Sequence, residues 1–181
     1  MNALFFIILT FFLIVTQTVI LPTFPWFINC FDLLIIDILF LSLISSHYSI
    51  IAAIVVIGCI MDSVSGVPFF YHIFSYLWIY IIVQIVKQLL FQRSIMFILI
   101  ISIVSILIQH VFLLLSVFVN QGSNIIWEFD FAFLIRQVFW GFVFIPPGIW
   151  LANILWRNWI LLTTFLQNRW LKNSEGRIDR I

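Results

Sequence analysis

Charged residues are scarce in this chain, since aspartate, glutamate, lysine and arginine together make up 8% of its 181 residues. Soluble domains carry about 25% charged residues, so this composition cannot cover the surface of a soluble fold of this size. Hydrophobic residues make up 65% of the chain. They form continuous runs without the in-out alternation of outer-membrane strands. The composition therefore predicts an all-α, polytopic integral membrane protein built as a helical bundle.

Net charge, cysteine spacing and the N-terminus argue against a nucleic-acid partner, a cysteine motif and a signal peptide, respectively. The net charge is +1, which implies no nucleic-acid partner. Cys30 and Cys59 are far apart and form no motif, so we expect them to pack as small hydrophobic residues. The N-terminus has no basic n-region and no small-residue cleavage site, so its apolar run is predicted to be a retained helix rather than a signal peptide.

Motifs for catalysis are missing as well. The three histidines are scattered, no His/Glu metal pair stands at ligand spacing, and there is no glycine-rich phosphate loop. Asp62 and His72 invite comparison with an intramembrane protease, but aspartyl chemistry needs two acids close together and no second motif follows. We therefore expect a protein that is not an enzyme and that holds no metal or cofactor.

Six apolar runs are compatible with the roughly 20 residues that a membrane-spanning helix needs. They predict helices over Ala3–Leu21, Phe31 to Leu43 or Ser45, Ser49–Ser65, Phe69–Leu90, Ser94–Val119 and Phe131–Leu155. Five membrane helices remain an alternative if the second or third of these is re-entrant. A tight turn is predicted at Gly66-Val67-Pro68, and Pro146-Pro147-Gly148 is predicted to kink or unwind the sixth helix.

The distribution of basic residues predicts that both termini lie on the cytoplasmic side. That orientation places seven of the eight basic residues inside: Lys87, Arg93, Arg157, Arg169, Lys172, Arg177 and Arg180. Residues 1–155 are thus predicted to form the transmembrane bundle and residues 156–181 a basic cytoplasmic tail. Apolar residues at helical spacing in the tail indicate either an amphipathic helix on the inner leaflet or a plain extension of the sixth helix.

Ionisable residues inside a membrane are costly, so each of them needs a partner or a role. Asp37, Asp62 and Arg136 are predicted to lie at similar depth in the outer half of the bilayer. Because an arginine binds a carboxylate bidentately, we predict that Asp62 pairs with Arg136, with Asp37 as a rival partner in this intramembrane charge network. Asp32, at the outer boundary, is expected only to contact lipid headgroups.

Small residues share one face of the third predicted helix. Gly58, Asp62, Ser65 and Gly66 are spaced i, i+4, i+7 and i+8, and small residues at such spacing let another helix approach closely. Together with Pro68 in the turn, they are predicted to bind a partner or to fix the bundle. Polar stripes on the next two helices indicate interhelical hydrogen bonds or, alternatively, a polar cavity for a small ligand: His72, Tyr76, Tyr80, Gln84 and Gln88, and Ser102, Ser105, Gln109, His110 and Ser116.

The segment "GCIMDSVSG" resembles the best-marked segment of the MreD family of bacterial rod-shape-determining membrane proteins. In that family a glycine, three apolar residues, an aspartate, two further residues and serine-glycine precede a long helix. Here these positions are Gly58, Asp62, Ser65 and Gly66, followed by "FFYHIFSYLWIYIIVQIVKQLLF". The layout of the chain is also similar, with an acid opening the second helix ("FDLLIIDILFLSL") and a proline within the sixth ("FIPPGIWLANILWR").

The resemblance implies a non-enzymatic scaffold of the cell-elongation complex in the bacterial cytoplasmic (inner) membrane. The implied partner is MreC, together with membrane lipid. Indirect partners are the MreB filaments, a RodA-type glycosyltransferase and a class B penicillin-binding transpeptidase, so that the scaffold helps to position peptidoglycan synthesis. The family's bundle is also similar to the substrate-binding subunits of vitamin transporters. A vitamin-type substrate-binding subunit of a membrane transporter is therefore the alternative function.

Overall fold

The computed structural model describes residues 2–24, 32–66, 70–89, 95–121 and 131–178. Within these ranges the chain is all-helical, as predicted, and contains no β-strand. Its α-helices are α1 (Asn2–Val15), α2 (Leu34–Ile44), α3 (His47–Ser65), α4 (Tyr71–Leu89), α5 (Ile95–Gln121) and α6 (Phe131–Ile178). A π-helical turn (Thr16–Ile20) and a 3-10 turn (Leu21–Thr23) continue α1.

Among the residues that the structure describes, four helical segments are long and apolar enough to cross a membrane. They are Leu4–Thr23, His47–Ser65, Met96–Ser116 and Ala132–Phe165. The helix α2 is apolar but shorter, and α4 is diluted by polar side chains along its length. These lengths and compositions are those of a helical membrane protein.

The shortest helix, α2, lies at the centre of the bundle and contacts α1, α3, α4 and α6. Every side chain from Leu34 to Ser42 is buried. A helix that is apolar all round belongs in an interior, which explains this position. Its 11 residues rise only about 16 Å, roughly half of the 30 Å hydrocarbon core. Four helices, α1, α3, α4 and α6, therefore pack around a central helix that is shorter than the hydrocarbon core is thick.

Glycines allow three pairs of helices to approach closely. Each of the three glycines faces an isoleucine on the neighbouring helix: Gly58 faces Ile73 between α3 and α4, Gly141 faces Ile106 between α5 and α6, and Gly148 faces Ile36 between α2 and α6. A Cβ atom added to any of the three would overlap that isoleucine. Small residues at helix contacts are typical of membrane bundles, where close packing replaces the hydrophobic driving force.

The helix α6 is one continuous element of 48 residues that passes through Pro146 and Pro147. Of the two predicted effects of these prolines, unwinding is wrong, because the helix is continuous on both sides of them; a kink there stays a prediction. Beyond Leu155 the same helix runs on to Ile178, so the described part of the tail is an extension of α6. Of the predicted tight turn, Gly66 ends α3 in the left-handed conformation, while Val67 and Pro68 lie outside the described residues.

Candidate functional site

The carboxylate of Asp62, near the end of α3, caps the beginning of α4. Its Oδ2 accepts a hydrogen bond from the Phe70 N–H at 2.8 Å, and its Oδ1 accepts one from the His72 N–H at 2.9 Å. The Nδ1 atom of His72 lies 2.8 Å from the same Oδ1. The first N–H groups of a helix have no partner within it and form its positive end. An acid inside this apolar chain is therefore stabilised by the next helix.

Asp62 and Gly58 act on the same contact between α3 and α4. Gly58 lies one turn before Asp62, and a Cβ there would stand 2.5 Å from Cγ1 and 2.9 Å from Cα of Ile73. Phe70 has a φ of 74°, a left-handed conformation that costs about 1–2 kcal/mol for an L-residue. The bond from its N–H to Asp62 offsets part of this cost. Together, Gly58 and Asp62 fix the α3–α4 hairpin.

A second carboxylate caps α2. Asp32 Oδ1 accepts a hydrogen bond from the Leu34 N–H at 3.0 Å, and Oδ2 accepts one from the Gln109 Nε2 at 2.8 Å. The hydroxyl of Tyr76 also donates to Oδ2. The expectation that Asp32 only contacts headgroups is therefore wrong, because α4 and α5 bring donors to it. A carboxylate two residues before an apolar helix is an N-cap pattern, and that signal was available in the sequence.

The two capped helix ends are linked through Tyr71, whose hydroxyl donates to the Gln109 carbonyl oxygen at 3.1 Å. We call the whole group the capping cluster; it consists of Asp32, Asp62, Tyr71, His72, Tyr76 and Gln109. It draws on α4, on α5, on the end of α3 and on the residues before α2. Every carboxylate oxygen in the cluster receives a donor from the chain itself. Buried polar groups that are fully satisfied in this way make a bundle rigid.

The predicted pair between Asp62 and Arg136 does not form. Arg136 is exposed on α6, and within the described ranges His72 is the only basic side chain within 4 Å of a carboxylate oxygen, that of Asp62. Both oxygens of Asp62 are occupied by the first turn of α4. In addition, α6 packs mainly against α5 and α2, so similar depth in the membrane does not bring Arg136 to Asp62.

The rival partner, Asp37, lies apart from both of them. It is fully buried on α2, and its Oδ2 accepts a hydrogen bond from the Thr10 hydroxyl of α1 at 2.5 Å. Its Oδ1 has no partner among the described residues. The three members of the predicted charge network thus have three different surroundings: α1 for Asp37, α4 for Asp62, and the exposed surface for Arg136.

The remaining residues of the predicted small face end α3 rather than contact another helix. The hydroxyl of Ser65 donates to the Met61 carbonyl oxygen of its own helix at 2.6 Å, and Ser65 is exposed. Gly66 is exposed too, and an added Cβ there would meet no atom within 4 Å. Pro68 lies outside the described residues. Within the described chain, the close approach predicted for this face is made at Gly58.

The opposite end of α2 carries a cation. Lys87 of α4 donates from Nζ to the Ser42 carbonyl oxygen at 2.7 Å, and Gln84 donates from Nε2 to the Ser42 hydroxyl at 3.3 Å. A cation at a helix C-terminus complements the helix dipole, just as Asp32 does at the N-terminus. Two turns earlier on α4, the Tyr80 hydroxyl is hydrogen-bonded to His47 Nδ1 at the start of α3. The sequence reasoning assigned Lys87 only to topology, because nothing local to it shows which helix end it meets.

The polar stripes are thus used largely for bonds within the chain. Tyr76, Tyr80 and Gln84 of α4 bind other elements of the bundle, and Gln109 of α5 binds Asp32. These contacts agree with the interpretation of the stripes as interhelical hydrogen bonds. An open groove of about 530 Å³ lies elsewhere, between α4 and α5, and its lining is apolar: Trp78, Val104, Leu107, Ile108, Val111, Phe112 and Leu115.

The chemistry available to the capping cluster is the stabilisation of helix ends. No three histidine, cysteine, aspartate or glutamate side chains come together as a metal site in the ranges that the structure covers. No protein-family model, curated protein or solved structure matches this chain.

Proposed function

We propose that this chain is a non-enzymatic membrane scaffold of the MreD type. It acts in the cell-elongation complex of the bacterial cytoplasmic (inner) membrane. There it binds MreC and helps to position peptidoglycan synthesis by a RodA-type glycosyltransferase and a class B penicillin-binding transpeptidase along MreB filaments. The observation that supports this most is that Gly58 and Asp62, which carry the resemblance, are the residues that fix the α3–α4 hairpin.

A scaffold must present one constant surface to its partners, and the internal bonds of this bundle suit that task. Both oxygens of Asp32 and of Asp62 are satisfied by the chain. The central helix α2 is held by Asp32 at one end and Lys87 at the other. Side chains engaged in this way are withdrawn from chemistry on a substrate, which favours a structural role.

The proposed topology has six membrane helices, with both termini in the cytoplasm. The 19 residues of α4 rise about 28 Å, close to the thickness of the hydrocarbon core, and α4 packs between α3 and α5. Labelling of single cysteines in a background without Cys30 and Cys59 tests this topology. A cysteine at exposed Ser46 is expected to react from the cytoplasmic side and one at exposed Ser65 from the outside; the reverse pattern would refute the orientation.

The vitamin-binding alternative needs polar side chains that are available to a ligand. On α4 these would be the stripe of His72, Tyr76, Tyr80, Gln84 and Gln88. The first four already bond within the chain, and Gln88 is exposed. The apolar groove between α4 and α5 lacks the few convergent polar groups that orient small ligands. These contacts favour the scaffold over the transporter subunit.

Purification of the tagged protein from native membranes in mild detergent, followed by mass spectrometry of proteins and small molecules, tests the function. We expect MreC to co-purify, and we expect depletion of the protein to round the cells. Gly58→Val is expected to lose MreC because it forces α3 and α4 apart. Cys59→Val is the matched control, since Cys59 is the next residue on α3 and is exposed. A stoichiometric vitamin-like molecule with transporter ATPases, and without wall-synthesis proteins, would overturn the scaffold.

A further inference from the structure

Three acids within the bundle differ in the number of hydrogen-bond donors that they meet. Asp62 receives backbone N–H groups on both oxygens and has a histidine nitrogen beside it. Asp32 receives one backbone N–H and two side-chain donors. Asp37 receives only the Thr10 hydroxyl, and its Oδ1 is buried without a partner among the described residues. The surroundings of Asp32 and Asp62 suit a carboxylate, whereas those of Asp37 do not.

No cation of the described helices neutralises Asp37. It is 0% exposed at the centre of the bundle, and an unpaired charge in such a place is very costly. The helix α1, which supplies its hydrogen bond, has no ionisable side chain. The charged and titratable side chains that the structure describes on the other helices packed on α2 are engaged or exposed elsewhere. The engaged ones are Asp62 with His72, His47 with Tyr80, Lys87 on the Ser42 carbonyl, Tyr71 on the Gln109 carbonyl and Tyr76 on Asp32. The exposed ones are Tyr48, Cys59, Arg136 and Arg157.

A metal cation does not fit this place. Sodium sites inside membrane bundles use carbonyl oxygens from unwound helix segments. Thr10 and Asp37 both lie within regular stretches of α1 and α2, whose backbone carbonyls are engaged in the helices. The site therefore offers the carboxyl and one hydroxyl, too few oxygen ligands to replace the hydration shell of a metal ion. A proton, unlike a metal ion, needs only one carboxyl oxygen to bind, so it is the cation that this site can hold.

We propose that Asp37 is a proton-binding site that holds α1 against α2. The bound proton converts the carboxylate to a neutral carboxylic acid, whose O–H donates to Thr10 Oγ1. The Thr10 hydroxyl then donates to a carbonyl oxygen of its own helix, as threonines in helices commonly do. Oδ1 becomes the carbonyl oxygen of the acid and carries no full charge. Loss of this proton places a bare charge between α1 and α2 and weakens their packing.

Infrared spectroscopy of the full-length protein in liposomes tests the site, because the carbonyl stretch of a protonated carboxyl group is distinct from carboxylate bands. At neutral pH we expect one such band, lost in Asp37→Asn and kept in Asp32→Asn and Asp62→Asn. Asparagine supplies an amide N–H that can donate to Thr10 Oγ1 in place of the acid O–H, so this variant keeps the contact between α1 and α2. In Thr10→Val the band is expected to remain but to shift in frequency, since the partner of the acid proton has been removed.

Several results would overturn the proposal. These are a wild-type spectrum without the band at neutral pH, a band that survives Asp37→Asn, and a band that disappears when sodium replaces choline in the buffer. The last would assign the site to a metal ion. The readout does not depend on MreC binding, so the scaffold function can fail while the band remains, and the converse also holds.

Discussion

Replacing Gly58 with alanine adds one methyl group at the closest contact between α3 and α4. In a free helix this change is favourable by about 0.5–1 kcal/mol, because alanine is the better helix former. In the bundle the new Cβ would stand 2.5 Å from Cγ1, 2.9 Å from Cα and 3.0 Å from N of Ile73. Two of these three atoms belong to the backbone, so a change of rotamer cannot relieve the overlap, and the two helices must move apart.

The size of that movement determines the cost. Carbon atoms in good contact are about 3.5–4.0 Å apart, so restoring such a distance moves α4 away by about 1 Å. The same displacement lengthens the bonds from Asp62 to the Phe70 and His72 N–H groups, now 2.8 and 2.9 Å, beyond hydrogen-bonding distance. Overpacking alone costs about 1–3 kcal/mol, and a weakened buried cap adds about 1 kcal/mol or more. We expect a net loss of about 2–3 kcal/mol for Gly58→Ala after the gain in helix propensity.

Thermal unfolding of the detergent-solubilised protein, followed by size-exclusion chromatography of the heated sample, measures this loss. Gly141→Ala is the matched control. A Cβ at this position also overlaps an isoleucine, but the overlapping atom is the flexible end of the Ile106 side chain rather than backbone. Ile106→Val removes that atom and is expected to restore the stability of Gly141→Ala. Ile73→Ala leaves the Cα and N of Ile73 in place and is expected not to rescue Gly58→Ala.

A Gly58→Ala protein as stable as the wild type would refute the close approach of α3 and α4. Full rescue by Ile73→Ala would show that the contact involves side chains rather than backbone. The first result would also remove the reason for Gly58 to stand in the motif that carries the resemblance.

Further changes test the capped helix ends with the same thermal assay. Asp62→Asn is expected to cost about 1–3 kcal/mol, because an amide offers one acceptor oxygen where two oxygens now accept backbone N–H groups. Arg136→Gln is expected to stay within about 0.5 kcal/mol, since Arg136 is exposed; a loss equal to that of Asp62→Asn would instead support a pair between them. Lys87→Met is expected to cost about 1 kcal/mol, because it uncaps α2 at Ser42, whereas Gln88→Ala, at an exposed neighbour, is expected to be neutral.

The sequence by itself determined that the described chain is all-helical and where most of its helices lie, although the sixth, predicted to end at Leu155, continues to Ile178. The fifth helix was predicted over Ser94–Val119 and the structure has Ile95–Gln121; the fourth was predicted over Phe69–Leu90 and the structure has Tyr71–Leu89. Each apolar run is a continuous stretch of the sequence. In a membrane, such a stretch must make its backbone hydrogen bonds within itself, as a helix does. Helix formation therefore depends on nearby residues, which the sequence shows directly.

The tertiary structure decided which side chains meet. The depth of a residue in the bilayer follows from counting residues along its helix, and this count predicts a similar depth for Asp62 and Arg136. Whether the two side chains meet depends also on the rotation of each helix and on which helices are neighbours. Asp62 binds N–H groups at the start of α4, 8 and 10 positions away, and Asp32 binds Gln109, 77 positions away. Such contacts arise because a desolvated carboxylate takes whichever donors the packing brings to it, and packing is a property of the whole bundle.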